Sequence, residues 1–136
     1  LDRVYIPAEH IHPIQAQRGA AEAAASYAKL VAAALPFDLV LLGMGEDGHT
    51  ASLFPGQSHA HDELVHAVHE APKPPPERVS LSREALSDCH ELLILVTGKT
   101  KRQALARWKS GDPLPVACIG ARHAIDVLID RDAGGE

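Results

Sequence analysis

One stretch of the sequence, Leu39-Val40-Leu41-Leu42-Gly43-Met44-Gly45-Glu46-Asp47-Gly48-His49-Thr50, joins a run of four apolar residues to a glycine-rich turn. Residues 37–42 are apolar apart from Asp38, which is typical of a strand covered on both faces, as in a parallel sheet between helices. In open α/β sheets, ligands bind beyond the carboxyl ends of the strands. The turn therefore predicts a binding site, to which it carries Asp47 and His49 together.

The same pattern of an apolar strand ending at a glycine recurs at residues 92–97, before Gly98. Alternating or β-rich composition predicts further strands at residues 64–69, 78–81 and 124–129, and helix-forming composition predicts helices at residues 15–35, 83–87 and 100–109. Repeated strand–glycine units, the second leading into a helix, predict an α/β fold. We expect a mostly parallel layered sheet with helices on both faces, in a Rossmann-like arrangement.

The composition narrows the classes of partner. Hydrophobic residues make up 46% of the chain and charged residues 23%, which is ordinary for a globular protein. The net charge of -5 argues against a nucleic-acid partner, because phosphate backbones are bound by clustered Lys and Arg. Apolar runs stay far below the roughly 18 residues of a membrane span. The two cysteines, Cys89 and Cys118, lack metal-type spacing, so a reduced, cytoplasmic location is expected.

A family resemblance is carried by Gly43-Met44-Gly45-Glu46-Asp47-Gly48-His49-Thr50-Ala51-Ser52-Leu53-Phe54-Pro55. This stretch is similar to the signature of the 6-phosphogluconolactonases, within a wider group that includes the glucosamine-6-phosphate deaminases. Weaker matches of the same kind are Ile6-Pro-Ala-Glu-His-Ile-His-Pro13, Pro75-Pro-Glu-Arg-Val-Ser80 and Val96-Thr-Gly-Lys-Thr-Lys101. The resemblance therefore extends over nearly the whole chain.

The resemblance implies a hydrolase that opens 6-phospho-D-glucono-1,5-lactone to 6-phospho-D-gluconate, in the pentose phosphate pathway. That reaction needs an activated water, a stabilised oxyanion and an anchor for the phosphate. His49 is the expected general base, and Asp47 would orient its ring. The expected substrate-binding residues are Gly45, Gly48, Thr50, Arg78 and Lys101, with amides around the two glycines facing the oxyanion and Lys101 facing the phosphate. Neither a metal nor another cofactor is expected.

Two departures from the family pattern bear on this interpretation. A deaminase would carry Asn-Glu-Pro where this chain has Leu53-Phe54-Pro55, so apolar Phe54 favours the lactonase over the deaminase alternative. The resemblance also implies further residues at the amino end, including a Ser-Gly-Gly-Ser-like phosphate loop, and the chain starts at Leu1 rather than Met. We therefore expect residues 1–136 to be one partial domain that lacks its amino-terminal strands, or an inactive fragment.

Two other functions compete with the lactonase hypothesis. Gly43-x-Gly45-x-x-Gly48 follows a predicted strand, as a dinucleotide-binding fingerprint does, with Glu70 further on. The acidic residues inside this turn and the early Pro55-Gly56 stop oppose that function. A histidine-rich metal-binding module is the second alternative, with candidate ligands His59, His61, Asp62, His66 and His69. Solvated surface histidines explain the same cluster.

Overall fold

The structure is a computed structural model that describes residues 3–135. Residues 1, 2 and 136, which belong to the single domain expected from the sequence, lie outside the described part. The strands are β1 (Phe37–Gly43), β2 (Val65–Val68), β3 (Arg78–Leu81), β4 (Cys89–Val96) and β5 (Ala124–Ile129). The helices are α1 (Ala20–Ala34), α2 (Arg83–Ser87), α3 (Arg102–Lys109) and α4 (Arg131–Gly134). Short 3-10 turns cover Ala8–His10, Ala16–Arg18, Lys99–Lys101 and Pro115–Cys118.

A parallel sheet of three strands forms the centre of the fold, in the order β1-β4-β5. Its register pairs Gly43, the last residue of β1, with Leu95 near the end of β4. The carboxyl ends of these strands therefore lie side by side, and the loops that follow them share one edge of the sheet. Strands β2 and β3 form a separate antiparallel pair. The predicted α/β fold with a parallel sheet is confirmed.

Helices α2, α3 and α4 cover one face of the parallel sheet. The buried cluster there contains Val40, Leu42, Leu92, Ile94 and Val96 from the strands and Leu86, Leu105 and Ala133 from the helices. Leu39, Leu41, Leu95 and Leu128 point the other way and are 39–60% exposed. Within the described residues, helix α1 does not cover that face, because its Val31 packs on Val65 of β2 and Ala85 of α2 instead.

The long helix starts later than its composition predicts. Alanine-rich sequence over residues 15–35 indicated one continuous helix, whereas α1 begins at Ala20. Gly19 has φ of 93°, a conformation that only glycine adopts easily and that interrupts an α-helix. The residues before it form a short 3-10 turn. Across the described part of the chain, none of the helices combines the length and the apolar character that spanning a bilayer requires.

Candidate active site

The loop after β1 is a tight turn closed by its own backbone. The Gly45 amide donates to the His49 carbonyl at 2.8 Å, and the Gly48 amide donates to the Gly45 carbonyl at 3.1 Å. Gly48 has φ of 89°, and a Cβ on it would lie 2.7 Å from the Leu114 side chain. The turn is therefore possible only because glycine occupies this position.

One carboxylate fixes both the backbone and the ring of the candidate base. Oδ1 of Asp47 lies 2.5 Å from Nδ1 of His49 and accepts the His49 amide at 3.1 Å. An ionised carboxylate only accepts hydrogen bonds, so Nδ1 carries the ring hydrogen. The lone pair is then on Nε2, the nitrogen that is able to take a proton from water.

Asp47 stays ionised in this pair. Its partial burial acts to raise the pKa of its carboxyl group, but hydrogen bonds from the amide and the ring of His49 and the charge of that ring outweigh the burial. The net effect holds the pKa of Asp47 below its usual value. A carboxylate that remains charged near neutral pH keeps the imidazole oriented and stabilises it when it is protonated.

The His49 ring is held from two further sides. A Cβ on Gly45 would lie 2.1 Å from Cε1 and Nδ1 of His49, so the ring packs directly on the glycine backbone. The Phe54 ring, which is 3% exposed, contacts His49 with ring centroids 4.7 Å apart. With the Asp47 hydrogen bond, these contacts leave the ring little freedom to turn.

A cavity of about 310 Å³ lies beside this ring. Its lining residues are Gly43, Met44, Gly45, Glu46, His49, Ala51, Lys73 and Lys101. The backbone of Ala51 has φ of 49°, in the left-handed region that residues with a side chain rarely occupy. Strained backbone of this kind is concentrated at functional sites.

Lys101 reaches the cavity from the neighbouring strand. It ends the turn Lys99–Lys101 directly after β4, and its amide donates to the Gly98 carbonyl at 3.0 Å. Lys99 is exposed and does not line the cavity, while Nε of Arg102 donates to the Asp132 carbonyl at 2.6 Å. Of these three cations, Lys101 alone shares the cavity with His49.

The proteins that this chain resembles belong to one family. A model of the family described as glucosamine-6-phosphate isomerases/6-phosphogluconolactonase matches residues 1–129. The chain belongs to this family. It is 38% identical over 153 aligned residues to the 6-phosphogluconolactonase of Mycobacterium tuberculosis, covering 100% of this chain and 62% of that protein. The human 6-phosphogluconolactonase is 35% identical, with 88% of this chain and 50% of that protein covered.

Solved structures of the family have the same fold. The crystal structure of 6-phosphogluconolactonase from Thermotoga maritima superposes with a TM-score of 0.85 at 29% identity, covering 94% of this chain and 59% of that chain. The chain therefore spans about three fifths of the length of these relatives, or less.

Three of the substrate-binding candidates have hydrogen-bond partners within the turn itself. The amides of Gly45 and Gly48 both donate to backbone carbonyls there. Thr50 is 1% exposed, and its hydroxyl donates to the Gly43 carbonyl at 2.8 Å. These residues shape the turn, and any contact between them and the substrate remains a prediction.

Arg78 does not line the cavity but contacts Phe54, the ring on which His49 packs. Its Nη2 donates to the Lys73 carbonyl at 2.7 Å and its Nε donates to the Pro75 carbonyl at 3.0 Å. The guanidinium carbon is 5.4 Å from the centroid of the Phe54 ring. Arg78 therefore ties the proline-rich segment to the aromatic side chain that packs on His49. Direct contact with the substrate remains a prediction.

Lys73 and Glu46 are functional candidates that the sequence did not single out. Their side chains form an ion pair at the cavity, although 27 positions separate them in the chain. Each is about half exposed. Nothing local marks either residue, since a lysine in a proline-rich stretch and a glutamate in a turn are common surface features.

The histidine-rich segment faces a different, larger cavity of about 610 Å³, lined in part by His59, His61 and His66. Three histidines of this segment pair through Nδ1 with a glutamate carboxylate. The pairs are His61–Glu84 at 3.1 Å, His66–Glu63 at 2.8 Å and His69–Glu77 at 2.7 Å. Residues 3–135 contain no group of three His, Cys, Asp or Glu side chains arranged to hold a metal ion. The cluster thus gives no structural support to the metal-binding alternative.

The dinucleotide-binding alternative lacks its structural context. That fingerprint requires a helix that opens at the glycine turn. Residues 44–64, all of which are described, form turns and irregular structure without a helix. Phe54 opposes the deaminase alternative, for which the family resemblance implies a glutamate at this position. Its buried ring packs on His49.

Proposed function

We propose that this chain is the carboxy-terminal part of a 6-phosphogluconolactonase and that it carries the catalytic base of the enzyme. The observation that supports this most directly is the Asp47–His49 pair at a cavity shared with Lys101. Relatives that carry the lactonase name are 38% and 35% identical to the chain. The substrate that their name indicates is a phosphorylated gluconolactone.

In the proposed reaction, Nε2 of His49 takes a proton from a water molecule while the water oxygen bonds to the lactone carbonyl carbon. The carbonyl oxygen becomes an oxyanion, and Asp47 stabilises the imidazolium that forms. When the intermediate collapses, the bond between the carbonyl carbon and the ring oxygen breaks. The imidazolium returns its proton to that oxygen, which leaves a carboxylic acid and a free hydroxyl group.

Lys101 is the proposed anchor of the substrate phosphate. A phosphate monoester carries between one and two negative charges near neutral pH. Lys101 lines the same cavity as His49, so one bound molecule is able to meet both side chains. Hydrogen bonds between a lysine ammonium group and a phosphate are charge-assisted and stronger than neutral ones, which suits Lys101 to binding the phosphate.

We also propose a single partial domain and a cytoplasmic location. Both cysteines are free, with Cys89 buried and Cys118 exposed, which fits a reducing compartment. The net charge of -5 gives no reason to propose a nucleic-acid partner.

The test is hydrolysis of 6-phosphoglucono-1,5-lactone by the natural protein that carries this sequence, beside the 136-residue chain alone. Each rate is corrected for spontaneous opening of the lactone, and glucosamine 6-phosphate is offered as the competing substrate. Lactone hydrolysis without release of ammonia supports the proposal. Ammonia release, or no catalysis of either reaction by the natural protein, would contradict it. Activity in the natural protein but not in the 136-residue chain would show that the short chain is an inactive fragment.

A further inference from the structure

The ion pair between Lys73 and Glu46 lies in the cavity of the candidate active site, where a surface ion pair has no evident structural purpose. Both side chains line the cavity together with His49 and Lys101. Both are about half exposed, so the pair adds little to the stability of the fold.

Glu46 pairs with Lys73 and shares the cavity with a second lysine, Lys101. The hydrogen bond and the charge of Lys73, and at longer range the charge of Lys101, hold the pKa of Glu46 below its usual value. The carboxylate of the chain itself thus occupies a position that both cations favour for an anion. A phosphate that enters the cavity meets the same two positive charges and competes with Glu46 for them.

The backbone around Lys73 is fixed in a way that a mobile surface lysine would not require. Arg78 donates to the carbonyls of Lys73, Pro74 and Pro75, at 2.7, 3.3 and 3.0 Å. The same guanidinium lies over Phe54, the ring that packs on His49. The segment that presents Lys73 is therefore fixed relative to the ring that packs on the candidate base, while the Lys73 side chain itself is half exposed.

We propose that Lys73 is a second anchor for the substrate phosphate, and that Glu46 is the internal counter-ion that Lys73 exchanges for this phosphate. Arg78 is a positioning residue that acts through the backbone of Lys73. Two lysines match the charge of a phosphate monoester better than one. The inference rests on the proposed function for the identity of the ligand, but the anion site itself does not depend on turnover.

The test measures the affinity of the natural protein for 6-phosphogluconate and for inorganic phosphate by calorimetry. Lys73→Gln should weaken the affinity for each ligand about 5-fold, the upper end of what one exposed charge pair contributes. Glu46→Gln should strengthen both roughly 2-fold or more, because it removes the competing anion. Lys73→Arg should retain most of the affinity, and Lys99→Gln, which removes an exposed lysine outside the cavity, should have no effect.

The opposite signs of the two charge substitutions separate this proposal from a purely structural ion pair. If the pair only fastens the proline-rich segment, Lys73→Gln and Glu46→Gln should both weaken binding, and that result would overturn the proposal. If Lys73→Gln weakened the binding of 6-phosphogluconate but not that of inorganic phosphate, the proposal would be overturned as well, since Lys73 would then contact the carboxylate of 6-phosphogluconate.

Failure of the proposed function looks different from failure of this inference. Opposite shifts in anion affinity without lactone hydrolysis would leave the anion site standing and remove the proposed activity. Lactone hydrolysis with unchanged affinity in Lys73→Gln would remove the second anchor alone.

Discussion

Oδ1 of Asp47 accepts two hydrogen bonds from His49, one from the backbone amide at 3.1 Å and one from Nδ1 of the ring at 2.5 Å. Since a single residue separates the two, the pair forms within one turn, and packing of the ring on Gly45 and Phe54 adds to its orientation. The ring is therefore preorganised before any ligand binds. Preorganisation of this kind lowers the reorganisation that the chemical step requires.

Asp47→Asn should lower kcat by roughly 10-fold or more, part or all of the about 10²-fold or more that general-base catalysis contributes. An asparagine amide that donates to Nδ1 would leave the ring hydrogen on Nε2, the atom that has to accept a proton. KM should change little, because the proposed phosphate anchor is intact. Steady-state kinetics beside Asp62→Asn, an exposed aspartate outside the cavity, would check this. Equal kcat in both variants would argue against the orienting role.

The lowered pKa of Asp47 makes a prediction about acid stability. Its folded-state pKa lies below the usual value, so its contribution to stability is present above the unfolded-state pKa, which is about 3.9. The contribution is lost as the pH falls through the folded-state pKa. The difference in unfolding free energy between the wild type and Asp47→Asn should therefore shrink below about pH 4. Urea titrations over this range would measure it, and a difference that grows on acidification would be inconsistent.

Gly45→Ala should remove activity while leaving the protein folded. The added Cβ would lie 2.1 Å from two atoms of the His49 ring and displace it from the cavity. Gly120→Ala is the matched control, because a Cβ there meets nothing within 4 Å. Circular dichroism would establish folding and the lactone assay would measure turnover. Normal turnover in folded Gly45→Ala would show that the position of the ring is unimportant.

Lys101→Ala should raise KM about 10-fold with a smaller effect on kcat, because a charged hydrogen bond to the phosphate would be lost. Lys99→Ala, two residues away and outside the cavity, should leave both constants unchanged. Steady-state kinetics with the phosphorylated lactone distinguish the two lysines. An unchanged KM in Lys101→Ala would count against contact with the phosphate.

Local patterns predicted most elements of the fold. Strands β3 and β5 and helix α2 have the bounds expected from composition, and β1 differs by one residue. Strand β4 begins at Cys89, three residues before its apolar run, because Cys89 pairs with Phe37 and polar His90 and Glu91 hid this start. These errors occur where pairing between distant segments overrides the local sequence pattern.

The candidate site was predictable where it is local and at Lys101, which a second strand–glycine unit and the family resemblance marked. Asp47 and His49 share one turn, so their spacing in the sequence already indicated the pair. Arg78 and Lys73 depend on how the proline-rich segment folds back over the turn, and no periodicity records that. The contact of Phe54 with His49 is likewise a result of packing.

The measurement that tests the account most directly is kcat/KM for His49→Ala in the natural protein, corrected for spontaneous lactone opening. If His49 is the base, kcat/KM should fall by about 10²-fold or more. Near wild-type rates would contradict the assignment of His49 as the catalytic base.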